Sequence, residues 1–173
     1  MRLRLSHIGI CVSDLDRSLA FYRDGLGFEE RASHRVGAEF GRLMEVDGVE
    51  LRSTMLERDG ITLELLAFES PGHTGKGDRR PVNELGFTHL SLEVDDLEEA
   101  AATVERFGGA VVSSTRTELG AGDARLEFVY CTDPDGVRVE LMRLGRLRPA
   151  ASAPPAAGRG SDGWGTGRRR KVP

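Results

Sequence analysis

The chain repeats itself. Displaced by 82 residues, His7-Ile8-Gly9-Ile10-Cys11-Val12-Ser13-Asp14-Leu15 falls on His89-Leu90-Ser91-Leu92-Glu93-Val94-Asp95-Asp96-Leu97, and histidine, valine, aspartate and leucine coincide. The same displacement pairs Ala20 with Ala102 and Gly27 with Gly109, so the likeness continues through a helix to its terminating glycine. Two copies of one supersecondary unit explain this, and 173 residues suffice for one domain that holds both.

Each copy opens with a short strand and an acidic turn whose Asp14 or Asp96 can cap a helix. Leu15, Leu19, Tyr22 and Leu26 then line one helical face, as do Leu97, Ala101, Val104 and Phe107 in the second copy. Three strands are expected after each helix: 28–36, 41–56 with a break near Asp47-Gly48, and 61–68 in the first, then 110–117, 125–131 and 137–143 in the second. Asp59-Gly60 and Asp135-Gly136 mark tight hairpins. The fold class is therefore α+β, two βαβββ modules at about residues 1–70 and 86–146 joined by a Gly- and Pro-rich linker over 71–85.

Strand alternation sorts the polar residues. Ile8, Ile10 and Val12 form an apolar row that leaves His7, Gly9 and Cys11 on the other face; Leu90, Leu92 and Val94 likewise oppose His89, Ser91 and Glu93. In the last strand of each module Ile61, Leu63 and Leu65 oppose Thr62, Glu64 and Leu66, and Val137, Val139 and Leu141 oppose Arg138, Glu140 and Met142. One histidine on a strand carries little, but two at equivalent repeat positions, with two glutamates in Leu-Glu-Leu-Leu and Val-Glu-Leu-Met, form a ligand set. Half-sheets cupped toward each other would bring His7, Glu64, His89 and Glu140 onto one divalent ion, and imidazole with carboxylate suits borderline-to-hard metals such as Ni, Co, Zn, Mn or Fe. Cys11 reads as cavity lining, His34 and His73 as surface residues, and Glu45, Asp47 and Glu50 as a solvated hairpin edge with spare carboxylates.

A formal charge of −4 argues against nucleic acid, and no apolar run or leader marks a membrane segment, so a cytoplasmic protein acting on a small molecule is expected. Two cysteines, Cys11 and Cys131, are too few and too far apart for a disulfide scaffold or a zinc knuckle. Residues 147–173 are rich in Gly, Pro and Ala and carry Arg148, Arg159, Arg168, Arg169, Arg170 and Lys171 against Asp162, the composition of a disordered basic tail on an acidic domain spanning 1–146.

Residues 1 to about 145 resemble the vicinal oxygen chelate superfamily, which includes glyoxalase I, methylmalonyl-CoA epimerase, extradiol dioxygenases and bleomycin-resistance proteins. The likeness rests on the segment from His7 to Phe28, on Gly-Phe-Thr-His-Leu-Ser-Leu-Glu-Val-Asp-Asp-Leu, and on Asp-Pro-Asp-Gly-Val-Arg-Val-Glu-Leu. It implies a cupped mixed sheet around a metal site, a homodimer, and a His, Glu, His, Glu ligand series similar to bacterial glyoxalase I and many epimerases. The family's dioxygenases and fosfomycin enzymes place no carboxylate where Glu64 stands.

Glyoxalases of the family hold glutathione with an arginine four residues after the first ligand and an asparagine four after the second; here these positions are Cys11 and Phe68. The epimerase branch usually doubles the histidine before its third ligand, where this chain has Thr88-His89, and carries His-Pro-Lys where it has Thr132-Asp133-Pro134. The resemblance thus implies a metal-dependent isomerase or lyase that moves a proton next to a carbonyl, epimerase-like on methylmalonyl-CoA or a related thioester, or glyoxalase I-like. Glu140 is the first catalytic base and Glu64 its partner. The alternatives are a non-catalytic drug- or natural-product-binding resistance protein and an extradiol-type dioxygenase.

Overall fold

The computed structural model describes residues 1–145, and the expected tail lies outside the described residues. In chain order the elements are β1 (Ile8–Cys11), α1 (Leu15–Leu19, continued by a π-helical turn Ala20–Gly25), β2 (Glu29–Val36), α2 (Gly41–Met44), β3 (Glu50–Arg58), β4 (Ile61–Ser70), β5 (Leu90–Glu93), α3 (Leu97–Arg106), β6 (Ala110–Leu119), β7 (Leu126–Thr132) and β8 (Arg138–Arg143). They form two four-stranded mixed sheets, ordered β1-β4-β3-β2 and β5-β8-β7-β6. In each sheet the module's first strand runs parallel to its last and the remaining pairs are antiparallel. The repeat seen in the sequence is thus a repeat of topology. No described helix is long and apolar enough to cross a membrane.

The caps form as their residue types dictate. Asp14 accepts from the Arg17 amide at 2.9 Å, and Asp96 accepts from those of Glu98 and Glu99. Asp59 and Gly60 take φ of 52° and 78°, the left-handed pair that closes a two-residue hairpin between β3 and β4. Two expectations are corrected. Residues 41–44 coil into α2, which ends at Glu45 in the left-handed region, and β3 begins only at Glu50; Leu43 is exposed, so a strand there would have had no apolar row to bury. Asp135-Gly136 is no two-residue hairpin, because the Asp133 carboxylate accepts from the amides of Asp135 and Val137 and draws Asp133–Val137 into a wider loop.

Both modules contribute to one core. Ile10, Val12, Leu63 and Leu65 of the first sheet and Leu90, Val139 and Leu141 of the second bury with Leu19, Phe21 and Tyr22 of α1 and Ala101 and Val104 of α3. Bare backbone at Gly109, just after α3, lets the chain close up: a Cβ there would stand 2.4 Å from the Thr132 carbonyl of its own module and 2.7 Å from the Phe21 ring of the other. Polar latches cross the same seam. Tyr22 donates to Asp133 at 2.8 Å, while the Ser13 amide, the Ser13 hydroxyl and Arg17 all donate to Asp135.

Candidate metal centre

His7 precedes β1, and the parallel pairing with β4 sets Gly9 opposite Glu64. His7 Nε2 lies 3.1 Å from Glu64 Oε2. The other ends of both side chains are held: Ser6 Oγ is 3.0 Å from His7 Nδ1, and Ser53 on β3 donates to Glu64 Oε1 at 2.5 Å. The second module repeats the arrangement. His89 Nε2 lies 3.6 Å from Glu140 Oε2, and Ser91, paired with Glu140 in register, donates to that oxygen at 2.7 Å. Tyr130 packs against the His89 ring with centroids 5.5 Å apart.

The structure therefore brings the four residues together two by two. Among the described residues no group of three or more His, Cys, Asp or Glu side chains comes together, and the meeting of all four on one ion stays an expectation. The apolar rows opposite His7 and Glu64, and opposite His89 and Glu140, merge into one interior shared by both sheets.

The donor chemistry of each pair fits a divalent cation. An imidazole Nε2 and a carboxylate oxygen stand side by side in both modules, and His89 Nδ1 is buried without a partner among the described residues. Burial pushes Cys131 up to about 11, and burial together with the Asp135 charge raises Cys11.

Cys11 is exposed on β1 and Phe68 is half-buried on β4, both on the Glu64 face by alternation. The spare carboxylates Glu45, Asp47 and Glu50 are exposed and join neither pair. Register places His34 opposite Ser53, on the face that carries Glu64, whereas sequence reasoning left it an unassigned surface residue. Sequence reasoning also missed Ser53 and Tyr130. The alternation Leu51, Ser53, Met55 could have placed Ser53 on that face, but nothing in the sequence gave the register that sets it within reach of Glu64.

A family model described as the Glyoxalase/Bleomycin resistance protein/Dioxygenase superfamily matches residues 4–141. The chain belongs to this superfamily. A lactoylglutathione lyase of Neisseria meningitidis serogroup A is 30% identical over 147 residues, covering 82% of this chain and 91% of that protein. An ethylmalonyl-CoA/methylmalonyl-CoA epimerase of Cereibacter sphaeroides is 29% identical over 146 residues, covering 82% and 98%. A glyoxalase family protein of Bacillus cereus superposes with a TM-score of 0.70 at 20% identity, covering 83% of this chain and 95% of that one, and bears out the superfamily's paired βαβββ fold.

Proposed function

We propose that the protein is a divalent-metal-dependent isomerase or lyase that moves a proton next to a substrate carbonyl, and that its centre forms where the His7–Glu64 pair of one copy meets the His89–Glu140 pair of a second. The observation that supports this most is the twice-made contact between an imidazole Nε2 and a carboxylate oxygen on sheet faces turned away from the core. One pair alone is half a ligand set. Two pairs supply four ligands and leave coordination positions for substrate. Leu3 and Leu5 precede His7, their repeat equivalents Leu85 and Phe87 precede His89, and all four are exposed, apolar surface that a second copy would cover beside each half-site.

A divalent ion there, when bound, would polarise the carbonyl and stabilise the charge left as the neighbouring carbon loses its proton. Glu140 takes that proton, and Glu64, arriving from the other module, returns one to the opposite face. Ser91 and Ser53 fix these carboxylates in place by hydrogen bonds. Cys11 and Phe68 offer no charged group to a glutathione carboxylate, which favours a thioester substrate over a glutathione adduct.

Mixing two variants tests the shared centre. His7→Ala and His89→Ala should each lose stoichiometric metal while keeping their circular dichroism. Refolded as an equal mixture they should regain about a quarter of the wild-type metal, because half the dimers are mixed and each mixed dimer holds one intact centre. A monomeric wild type that binds one ion with full affinity, or a mixture that regains none, would sink the proposal.

A further inference from the structure

A cavity of about 570 Å³ lies between β1, linker residues 75–81 and the start of β8. Its wall combines apolar Ile8, Phe87 and Val137 with basic Lys76, Arg80 and Arg138. Two carboxylates also line it. Of these Asp135 is already engaged by Ser13 and Arg17, and Asp78 makes no ion pair with Arg138.

Arg138 is 5% exposed. Its guanidinium carbon lies 4.8 Å from the centroid of the Tyr130 ring, and its one hydrogen bond to the described residues runs from Nη2 to the Arg80 carbonyl at 2.6 Å. A guanidinium withdrawn from water with no carboxylate beside it is costly, and a ring face with one carbonyl offsets only part of that cost. The missing counter-charge fits a ligand. With one ring face covered and Nη2 occupied, what remains is a planar edge of N–H donors, the shape that two carboxylate oxygens match.

We propose that this cavity binds a small organic carboxylate, its anionic end on Arg138 and its apolar body against Ile8, Phe87 and Val137. Arg138 stands two residues before Glu140 on the same face of β8, roughly 7 Å along the strand. On the proposed function, a carboxylate held there would belong to the molecule on which Glu140 acts. That last step rests on the proposed function; the binding itself does not.

Cys11 opens onto the same cavity and is exposed, whereas Cys131 is fully buried, so alkylation of Cys11 reports occupancy. The probes are hexanoate, hexanamide and inorganic phosphate, added to the full chain in EDTA at mildly alkaline pH, with iodoacetamide labelling followed by mass. Hexanoate should protect Cys11, hexanamide should need at least about tenfold higher concentration, and phosphate should protect less than hexanoate. Arg138→Gln, checked for fold by circular dichroism, should bring hexanoate to the level of the amide; if it does not fold, Arg138→Lys should weaken hexanoate selectively. Equal protection by acid and amide, protection by neither, or stronger protection by phosphate would overturn the proposal. So would protection that appears only when metal is restored, since the acid would then be bound at the metal centre. Protection in EDTA without any proton-exchange activity would leave this site standing and count against the proposed function alone.

Discussion

The Ser53 hydroxyl donates to Oε1 of Glu64 from the neighbouring strand at 2.5 Å, which leaves Oε2 facing His7. Such a hydrogen bond orients a metal-binding carboxylate and is expected to be worth about 10–100-fold in metal affinity. Ser53→Ala should therefore weaken metal binding by that factor in competition with a chelator while the circular dichroism stays unchanged. Ser91→Ala should do the same through Glu140. Wild-type affinity in both variants would mean that the two carboxylates are not ligands.

The latch between Tyr22 and Asp133 makes a pH-dependent prediction. Burial pushes Asp133 above its ordinary 3.8, while the Tyr22 hydroxyl and the amides of Val137 and Asp135 pull it back down. With the net value raised, the folded state holds this proton more firmly than the unfolded chain, so the contribution of Asp133 to stability falls as pH rises from 3.8 through the folded value. Tyr22→Phe removes a donor to the ionised form. It should cost about 1–3 kcal/mol in urea denaturation near neutral pH and measurably less in acid near 3.8, where Asp133 is protonated. An equal loss at both pH values would contradict this account.

What could be read from the sequence was periodic or chemical, and what could not was long-range. The repeat of His7 on His89, the Asp14 and Asp96 caps and the alternating rows around Glu64 and Glu140 follow from residue order alone, and they give the module topology and the neighbouring of each histidine with its glutamate. The shared interior of the two sheets depends on Phe21 reaching Gly109, a contact between residues that no local pattern links. That packing, invisible in either module by itself, joins the two sheets into one interior. Arg138 likewise read as an ordinary polar residue on a strand, because its burial comes from linker residues far away in sequence.

Gly109 tests the seam directly. A methyl there would meet the Thr132 carbonyl and the Val104 side chain as well as the Phe21 ring, and backbone cannot move aside cheaply. Gly109→Ala should lose about 1–3 kcal/mol or more, a fall in Tm of roughly 4–10 °C. Gly9→Ala is the control, since its Cβ would meet only Leu66 at an ordinary 3.5 Å and should cost little. A Gly109→Ala protein as stable as the wild type would show that neither the close approach to β7 nor the Phe21 contact across the modules is as described.

Glu140 carries a serine hydrogen bond and stands beside His89, and the proposed function makes it both an ion ligand and the base that takes a proton from a carbon next to a carbonyl. With a divalent metal added, the protein should exchange deuterium from solvent into a CoA thioester such as methylmalonyl-CoA, and Glu140→Gln should slow that exchange by about 10²–10⁴-fold. The hemithioacetal of methylglyoxal and glutathione should be a poor substrate, because the thiol of Cys11 and the ring of Phe68 give its carboxylates no cation or amide. Replacing both, as Cys11→Arg with Phe68→Asn, should then raise turnover of the hemithioacetal relative to the thioester. Efficient turnover of that adduct by the wild type, with no exchange into thioesters, would overturn the substrate assignment and leave the metal centre untouched.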